Sequence, residues 1–167
     1  YRGRLLSLDI SLCFNLTDRA IRSLHHCPEL KRLNISGCAC LTDLSLKYIA
    51  RYCPNLEEIS MACYNDDWDF FSDRGLKRLA QGCKQLHKVV LDGNNVVHES
   101  GIRCLLNEGV QSLSLRGCQS VKGEWLLDAI STAKALRFLD LRDCHEIEAH
   151  VRKQLRTRFS TRQKGVL

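Results

Sequence analysis

Short blocks of alternating apolar and polar residues recur along the whole chain at nearly even spacing. Six of them can be aligned, and they read LLSLDISLC (5–13), LKRLNISGC (30–38), LEEISMAC (56–63), LHKVVLDGN (86–94), VQSLSLRGC (110–118) and LRFLDLRDC (136–144). Their starts lie 25, 26, 30, 24 and 26 residues apart. Apolar residues at the first, fourth and sixth positions, with polar residues between them, predict a short strand that buries one face.

A second pattern follows the first three blocks and predicts a helix. The segments read LTDRAIRSLHHC, LTDLSLKYIARYC and FSDRGLKRLAQGC. Each contains a hydroxyl residue and an aspartate, whose side-chain oxygens can accept hydrogen bonds from the free amides of a helix start. Apolar pairs spaced three apart then place one helix face against the strands: Ile21 and Leu24, Leu46 and Ile49, Leu76 and Leu79.

The combined pattern, L-x-x-L-x-L-x-x-C/N at a period of 24 to 30 residues, is that of the leucine-rich repeat. One repeat cannot bury its own apolar face, so neighbouring repeats stack. We therefore predict an α/β fold, a right-handed horseshoe solenoid of about six repeats, with parallel strands on the concave face and helices on the convex face. The repeat domain is assigned to residues 1–159, and 160–167 to a basic tail. Apolar residues four apart predict a last helix that caps the solenoid: Ile147, Val151, Leu155 and Phe159.

Most of the ten cysteines follow the repeat rather than a metal-binding pattern, and only Cys40 and Cys104 fall outside it. Four hold the ninth position, where a small buried side chain is expected: Cys13, Cys38, Cys118 and Cys144. Three fall at predicted helix ends: Cys27, Cys53 and Cys83. A zinc site needs about four convergent ligands, and the C-A-C at 38–40 has no matching second pair, so neither a metal nor a cofactor is predicted. Free thiols in this arrangement favour an intracellular location, in the cytoplasm or nucleus.

The segment LKRLNISGCACLTDLSLKYIARYCPN, at 30–55, resembles the cysteine-containing leucine-rich repeats of F-box/LRR proteins. The shared signature is L-x-x-L-x-L-x-x-C-x-x-L-T-D-x-x-L-x-x-I/L-x-x-x-C-P. The resemblance covers most of the chain, but repeats four to six depart from it, with Asn94 in place of cysteine and no Thr-Asp pair. It implies a repeat domain that holds a substrate for a cullin–RING ubiquitin ligase, while an F-box elsewhere binds the ligase adaptor. A structural subunit or assembly factor of a large complex is the alternative.

Charge narrows the choice of partner. The net charge of +6 comes from the last 17 residues, which hold six basic and no acidic side chains, so the rest carries 19 of each sign. A nucleic-acid partner is therefore expected only through this basic segment, where Arg158, Arg162 and Lys164 are the predicted contacts. The chain shows no phosphate-binding loop, nucleophile elbow or metal helix motif and no apolar run long enough to span a bilayer, so we predict a protein that is not an enzyme.

Two regions are predicted to contact protein partners. On the strand face, the outward positions give Arg32, Glu57, Glu58, His87, Lys88, Arg116, Arg137, Phe138 and Arg142. Opposite charges on neighbouring strands can instead pair with each other. The insertion in the third repeat, YNDDWDFF at 64–71, adds Tyr64, Trp68, Phe70 and Phe71. The alternative for these rings is that they fold back over the rim of the core.

The N-terminal end has no polar cap, because the repeat pattern begins at Leu5. Terminal repeats need such a cap. We expect further repeats or another domain ahead of Tyr1, or a partner that covers this end.

Overall fold

The computed structural model describes residues 4–65 and 71–160, with side chains up to Thr157. Six short strands form one parallel sheet in chain order: β1 (Ser7–Asp9), β2 (Arg32–Asn34), β3 (Glu58–Ser60), β4 (Lys88–Val90), β5 (Ser112–Ser114) and β6 (Phe138–Asp140). A helix follows each strand: α1 (Asp18–Ile21), α2 (Asp43–Tyr52), α3 (Asp73–Gly82), α4 (Glu99–Asn107), α5 (Trp125–Thr132) and α6 (Ala149–Ser160). A 3-10 helix, Arg22–His26, continues α1.

The strands of the sheet are paired so that equivalent positions of the sequence repeat lie opposite one another. Residues at the fourth position lie opposite one another along the row Leu8, Leu33, Ile59, Val89, Leu113 and Leu139. From the second repeat onward this row is at most 3% exposed. Helix residues Leu46, Ile49, Leu76 and Leu79 are fully buried against it, as their spacing predicts. One continuous core therefore runs between the strand layer and the helix layer.

The turn after each strand needs a left-handed backbone at the eighth repeat position. This position is occupied by Leu12, Gly37, Gly93, Gly117 and Asp143, whose φ angles lie between 59° and 72°. Glycine adopts this conformation without strain, whereas other residues lose roughly 1–2 kcal/mol. Leu12 is thus a strained residue at a position that glycine fills in three other repeats. The aligned block of the third repeat, LEEISMAC at 56–63, is one residue shorter than the others and has no residue with a positive φ.

Three of the ninth-position cysteines do more than fill space, because the thiols of Cys38, Cys118 and Cys144 each donate a hydrogen bond to the preceding repeat. Cys38 Sγ lies 3.1 Å from the carbonyl oxygen of Ile10. Cys144 Sγ lies 2.9 Å from that of Leu115. Asn94 differs, since its Nδ2 donates over 3.2 Å to the carbonyl of Phe71 in the inserted segment of the third repeat. The asparagine side chain is longer than that of cysteine, and it bonds to the segment that is inserted in the third repeat.

The Thr-Asp and Ser-Asp pairs join neighbouring repeats as well as capping helices. The side-chain hydroxyls of Thr42 and Ser72 accept hydrogen bonds from the amides two residues on, as predicted, but Thr17 makes no such bond. The aspartates reach the next repeat instead. Asp43 accepts from the amide of Ser72 over 2.9 Å and from its hydroxyl over 2.6 Å. Asp18 binds Thr42 in the same way.

In the second to fourth repeats, a small residue three positions after the helix cap makes room for the aspartate of the preceding repeat. A methyl group added at Gly75 would lie 2.3 Å from Asp43 Oδ1, and one at Gly101 would lie 2.6 Å from Asp73 Oδ1. In the second repeat the corresponding residue, Ser45, donates its hydroxyl to Asp18 over 2.5 Å. The aspartate chain therefore depends on residues of two adjacent helices.

We expect Asp43→Ala to lower the free energy of unfolding by about 1–3 kcal/mol, because it removes two hydrogen bonds to a carboxylate between two repeats. Urea unfolding followed by circular dichroism measures the change. Glu99→Ala is the matched control, since Glu99 also lies in a first helical turn but binds only Arg103, within its own helix, at 2.7 Å. That exposed pair contributes about 0.5 kcal/mol or less. Equal losses in the two variants would contradict the proposed role of the aspartate.

Alanine substitutions at Gly93 and Gly109 distinguish the free-energy cost of backbone strain from the cost of a steric clash between repeats. Both Gly93 and Gly109 have a positive φ, so alanine at either position introduces strain of roughly 1–2 kcal/mol. A methyl group at Gly93 would also lie 2.3 Å from the carbonyl oxygen of Cys63, whereas one at Gly109 meets nothing within 4 Å. We expect Gly93→Ala to destabilise by about 1–3 kcal/mol more than Gly109→Ala in urea unfolding. A smaller loss at Gly93 would show that the two repeats separate freely there.

Candidate protein-interaction surface

The outward residues of the strands form rows that cross the sheet. One row, set by the strand register, comprises Ser7, Arg32, Glu58, Lys88, Ser112 and Phe138. The residues immediately before the strands form a second row, whose backbones are also linked from repeat to repeat: Lys31, Glu57, His87, Gln111 and Arg137. We call these two rows the strand face. They bring together seven of the nine contacts predicted on this face, and the other two, Arg116 and Arg142, follow the last two strands.

Several charges of the strand face pair with one another, as the alternative interpretation expected. Lys31 Nζ lies 2.7 Å from Glu57 Oε1, and Lys88 Nζ lies 3.1 Å from Glu58 Oε2. The hydrogen bond from Lys31 is the main cause that holds the pKa of Glu57 below its ordinary value. These side chains are about one third to one half exposed. Such surface pairs are weak, so a partner can replace them at small cost.

Arg32 differs from its neighbours in this row. Its side chain is exposed, and among the described residues its guanidinium forms no hydrogen bond or ion pair. Together with Asp9, Glu58 and Lys88 it lines a shallow depression of about 250 Å³ on the outer side of β1–β4. This volume is below the roughly 300–1,000 Å³ typical of small-molecule pockets. The depression has room for a side chain of a bound protein.

The C-terminal half of the face is richer in arginine. Arg116 Nε lies 2.8 Å from Asp143, and Arg142 Nη2 lies 2.5 Å from the buried carboxylate of Asp140. Burial opposes ionisation of Asp140, but the hydrogen bonds from Arg142 outweigh it and leave the pKa of Asp140 below its ordinary value. Arg137 is exposed beside the half-buried Phe138. Within the described part of the chain, Arg137 has no ion-pair partner.

The inserted segment of the third repeat divides its aromatic residues between surface and core. Tyr64 is 65% exposed, whereas Phe71 is 2% exposed and belongs to the core. Phe71 therefore cannot contact a partner, and for this ring the predicted contact is replaced by the alternative of a side chain folded into the core. Its burial supplies apolar volume where the third repeat lacks a normal turn. Trp68 and Phe70 lie outside the described residues.

Sequence reasoning predicted Tyr64 as a contact but missed the exposed apolar residues near it, Leu12 and Phe14. Leu12 is 53% exposed, and both Leu12 and Tyr64 lie over Gly37, where an added methyl group would be within 2.9 Å of each. Phe14, at 51% exposed, follows Leu12 closely in the chain. The available signal was the leucine at a repeat position that is otherwise mainly glycine. It marks a second surface, separate from the strand face.

The predicted basic contacts lie largely beyond what the structure describes. Arg158 belongs to α6, but its side chain is outside the described set, and Arg162 and Lys164 lie outside the described residues. In α6 itself Val151 and Leu155 are fully buried, and Arg152 donates to the backbone carbonyls of Ile147 and Cys144. The helix therefore packs on the last repeat, as the apolar spacing predicts.

The buried cysteines are poor candidates for nucleophilic chemistry. Burial raises the pKa of Cys53, Cys83 and Cys118 to about 12, and neighbouring cysteines add to the shift. A thiol reacts as a nucleophile through its thiolate, which these residues do not form at neutral pH. In the described ranges, no three His, Cys, Asp or Glu side chains converge as a metal site would require. Nor does any helix in those ranges have the length and apolar character to cross a membrane.

Comparisons with known proteins agree with the repeat architecture. A family model described as leucine-rich repeat matches residues 26–50. The tropomodulin C-terminal domain from Caenorhabditis elegans is similar in structure, with 12% sequence identity and a TM-score of 0.52 over 94% of this chain and 83% of that one. The leucine-rich-repeat-containing protein LegL7 from Legionella pneumophila aligns with 16% identity and a TM-score of 0.38 over 83% of this chain and 57% of that one. The predicted fold is confirmed: the chain is a leucine-rich-repeat solenoid, with strands on the concave face and helices on the convex face.

Proposed function

We propose that this chain is a non-catalytic protein-interaction module that holds a partner protein across the strand face. The observation that carries the proposal is the depression around Arg32, which is too small for a typical ligand but open to a partner's side chain. The surrounding charges lie on a parallel sheet whose inward-facing residues are buried from β2 onward. A partner therefore meets a surface whose shape is set before binding, which limits the entropic cost of association.

The partner segment is expected to be acidic. Of the acidic residues at or beside the depression, Glu57 and Glu58 are paired with lysines, and Asp9 accepts hydrogen bonds from Ser11 and Asn34. Arg32 and Arg137 have no ion-pair partner among the described residues. These two arginines lie toward opposite ends of the face, on the second and sixth repeats. Arginine is favoured at binding hot spots because its planar group forms two hydrogen bonds with a carboxylate. Phe138, next to Arg137, supplies an apolar contact.

Within this class, the proposed role is substrate recognition for a cullin–RING ubiquitin ligase. The support is the resemblance of the first three repeats to those of F-box/LRR proteins, including the Thr-Asp or Ser-Asp pairs and the helix-end cysteines. The substrate would occupy the strand face, and an F-box would connect the module to the ligase adaptor. Such a role would place the protein in the cytoplasm or nucleus.

A structural subunit or assembly factor is the second candidate. The exposed Leu12, Phe14 and Tyr64 favour it, because they offer an apolar contact away from the strand face. Exposed apolar groups of this size commonly mark an interface with another protein. In this case one stable complex would contain the chain in fixed proportion.

Charge reversal tests the strand face directly. The tagged protein is expressed in its own cells with the proteasome inhibited, purified by affinity and analysed by quantitative mass spectrometry. We expect Arg32→Glu to reduce recovery of the main partner by about tenfold or more, because a repulsive charge replaces a hot-spot arginine. Lys47→Glu is the matched control, since it reverses an exposed charge on α2 of the helix face. Thermal unfolding of both variants checks that the fold is intact.

The proteins recovered decide between the two roles. Cullin–RING subunits together with a partner lost in Arg32→Glu would support the receptor proposal. A single fixed complex without ligase subunits, unaffected by Arg32→Glu, would support the scaffold role. Equal losses in Arg32→Glu and Lys47→Glu would show that the strand face is not the binding surface.

A further inference from the structure

The two ends of the solenoid are finished differently. At the C-terminal end Leu139, Leu141 and Cys144 are at most 1% exposed, and α6 packs over the last repeat. At the N-terminal end the first repeat holds four of the six large apolar side chains that are exposed among the described residues: Leu5, Leu6, Leu12 and Phe14. Leu8, Ile10 and Leu16, which would be core residues in any other repeat, are only partly buried. We call this end the N-terminal edge.

Among the residues that the structure describes, the backbone of β1 is bonded only toward β2. Toward β2, the amide of Ile10 donates to Asn34 over 2.9 Å and the carbonyl of Leu6 accepts from Arg32 over 3.0 Å. Arg32 is the register equivalent of Ser7. The amide of Ser7 therefore occupies the place that is bonded to a preceding repeat everywhere else in the sheet, and it has no such acceptor within the described residues. A parallel strand would supply one.

Two side chains of the first repeat also lack the partners that their equivalents have. The thiols of Cys38, Cys118 and Cys144 each donate to a carbonyl of the preceding repeat, whereas Cys13 is exposed. The second difference concerns the helix caps. Thr42 is held through its amide and hydroxyl by Asp18 of the preceding repeat, while Thr17 meets no carboxylate among the described residues.

Together these groups specify what fits the N-terminal edge. The occupant has to offer a strand parallel to β1, a backbone carbonyl opposite Cys13 and a carboxylate at the start of a helix opposite Thr17. The junction between the first and second repeats supplies all three features, and the junction between the second and third supplies the strand and the aspartate. We propose that the N-terminal edge is a junction for a further leucine-rich repeat of the same polypeptide, stacked on β1 as β1 stacks on β2.

Other occupants satisfy fewer of these groups. A second copy that pairs edge to edge would be related by a two-fold axis, which sets β1 antiparallel to its mate and places no helix-start aspartate against Thr17. A second copy stacked head to tail would have to present its C-terminal repeat, but α6 already packs on that repeat. A repeat in the same polypeptide also needs no extra association step, since the backbone enters β1 at this edge.

The test places a copy of residues 30–55 directly before Leu5, so that it precedes Leu5 as it naturally precedes Leu56. Alkylation by a maleimide is followed by mass spectrometry of the peptide that contains Cys13. We expect the alkylation rate of Cys13 to fall about tenfold or more, because the thiol becomes buried at a repeat junction. The rate at the half-buried Cys104, in α4, is the internal reference and should not change. The melting temperature should also rise.

A matched variant isolates the aspartate. With Asp43→Ala introduced only in the added copy, the rise in melting temperature should be smaller than with the intact copy. Adding Thr17→Val should then cause no further loss, since the two groups act on each other. An unchanged rise in the Asp43→Ala copy would overturn the assignment of Thr17.

A second measurement does not depend on the fused copy folding. In the complete gene product purified from its own cells as a monomer, Cys13 should be protected to the same degree. Rapid alkylation of Cys13 there would overturn the proposal. A concentration-dependent dimer of the unfused chain that protects Cys13, detected by sedimentation, would overturn it in favour of a second copy.

Discussion

The stacking of each repeat on the next is the constraint on which the rest of the structure depends. A strand of three residues and one helix cannot enclose a core, so the apolar residues of every repeat are buried by its neighbours. Directed bonds then fix the distance and register between repeats, through the thiols of the ninth position and the aspartates at the helix starts. Glycine at the eighth position has no side chain to hold neighbouring turns apart, so adjacent repeats can approach each other closely. The strand face is a product of the stacking, because only a fixed register places Arg32, Glu58 and Lys88 side by side.

Much of this fold could be predicted from the sequence, because the period of the apolar residues indicates whether a segment forms a strand or a helix. The spacing of Leu33, Ile59 and Leu113 predicts the strands, and the pairs such as Leu46 and Ile49 predict the helix face. The role of Asp43 could not be foreseen, since a side chain in a first helical turn reads as a cap for its own helix. Its bond to Ser72 depends on the small residue at Gly75, which is informative only once the two helices are known to touch. Phe71 was likewise ambiguous, because an aromatic residue at the end of an insertion suits both a contact loop and a core.

The candidate site was predicted less completely than the fold. The outward positions of the strands follow from the alternation of the sequence, so the residues of the strand face could be named in advance. Which of them pair with each other could not, because pairing depends on side-chain geometry across strands. Glu57 and Glu58 prove to be engaged by lysines, and Arg32 and Arg137 are left as charges that face outward. Which protein binds here depends on the shape and charge of that protein, and the repeat pattern of this chain does not indicate them.

The aspartate chain has a consequence for how the solenoid bends. It links the first four repeats, from Asp18 through Asp43 to Asp73. It then gives way to an ion pair between Arg103 of α4 and Asp128 of α5, and to an exposed hydrogen bond between Glu124, just before α5, and His150 of α6. The helix layer also packs less extensively over these last repeats than between α2 and α3. Since each repeat touches only its neighbours, stiffness is set junction by junction. We therefore expect the junctions held by Asp18, Asp43 and Asp73 to be stiffer than the last two. On that expectation, the arginine-rich end would adjust to a partner's outline more readily than the depression at Arg32.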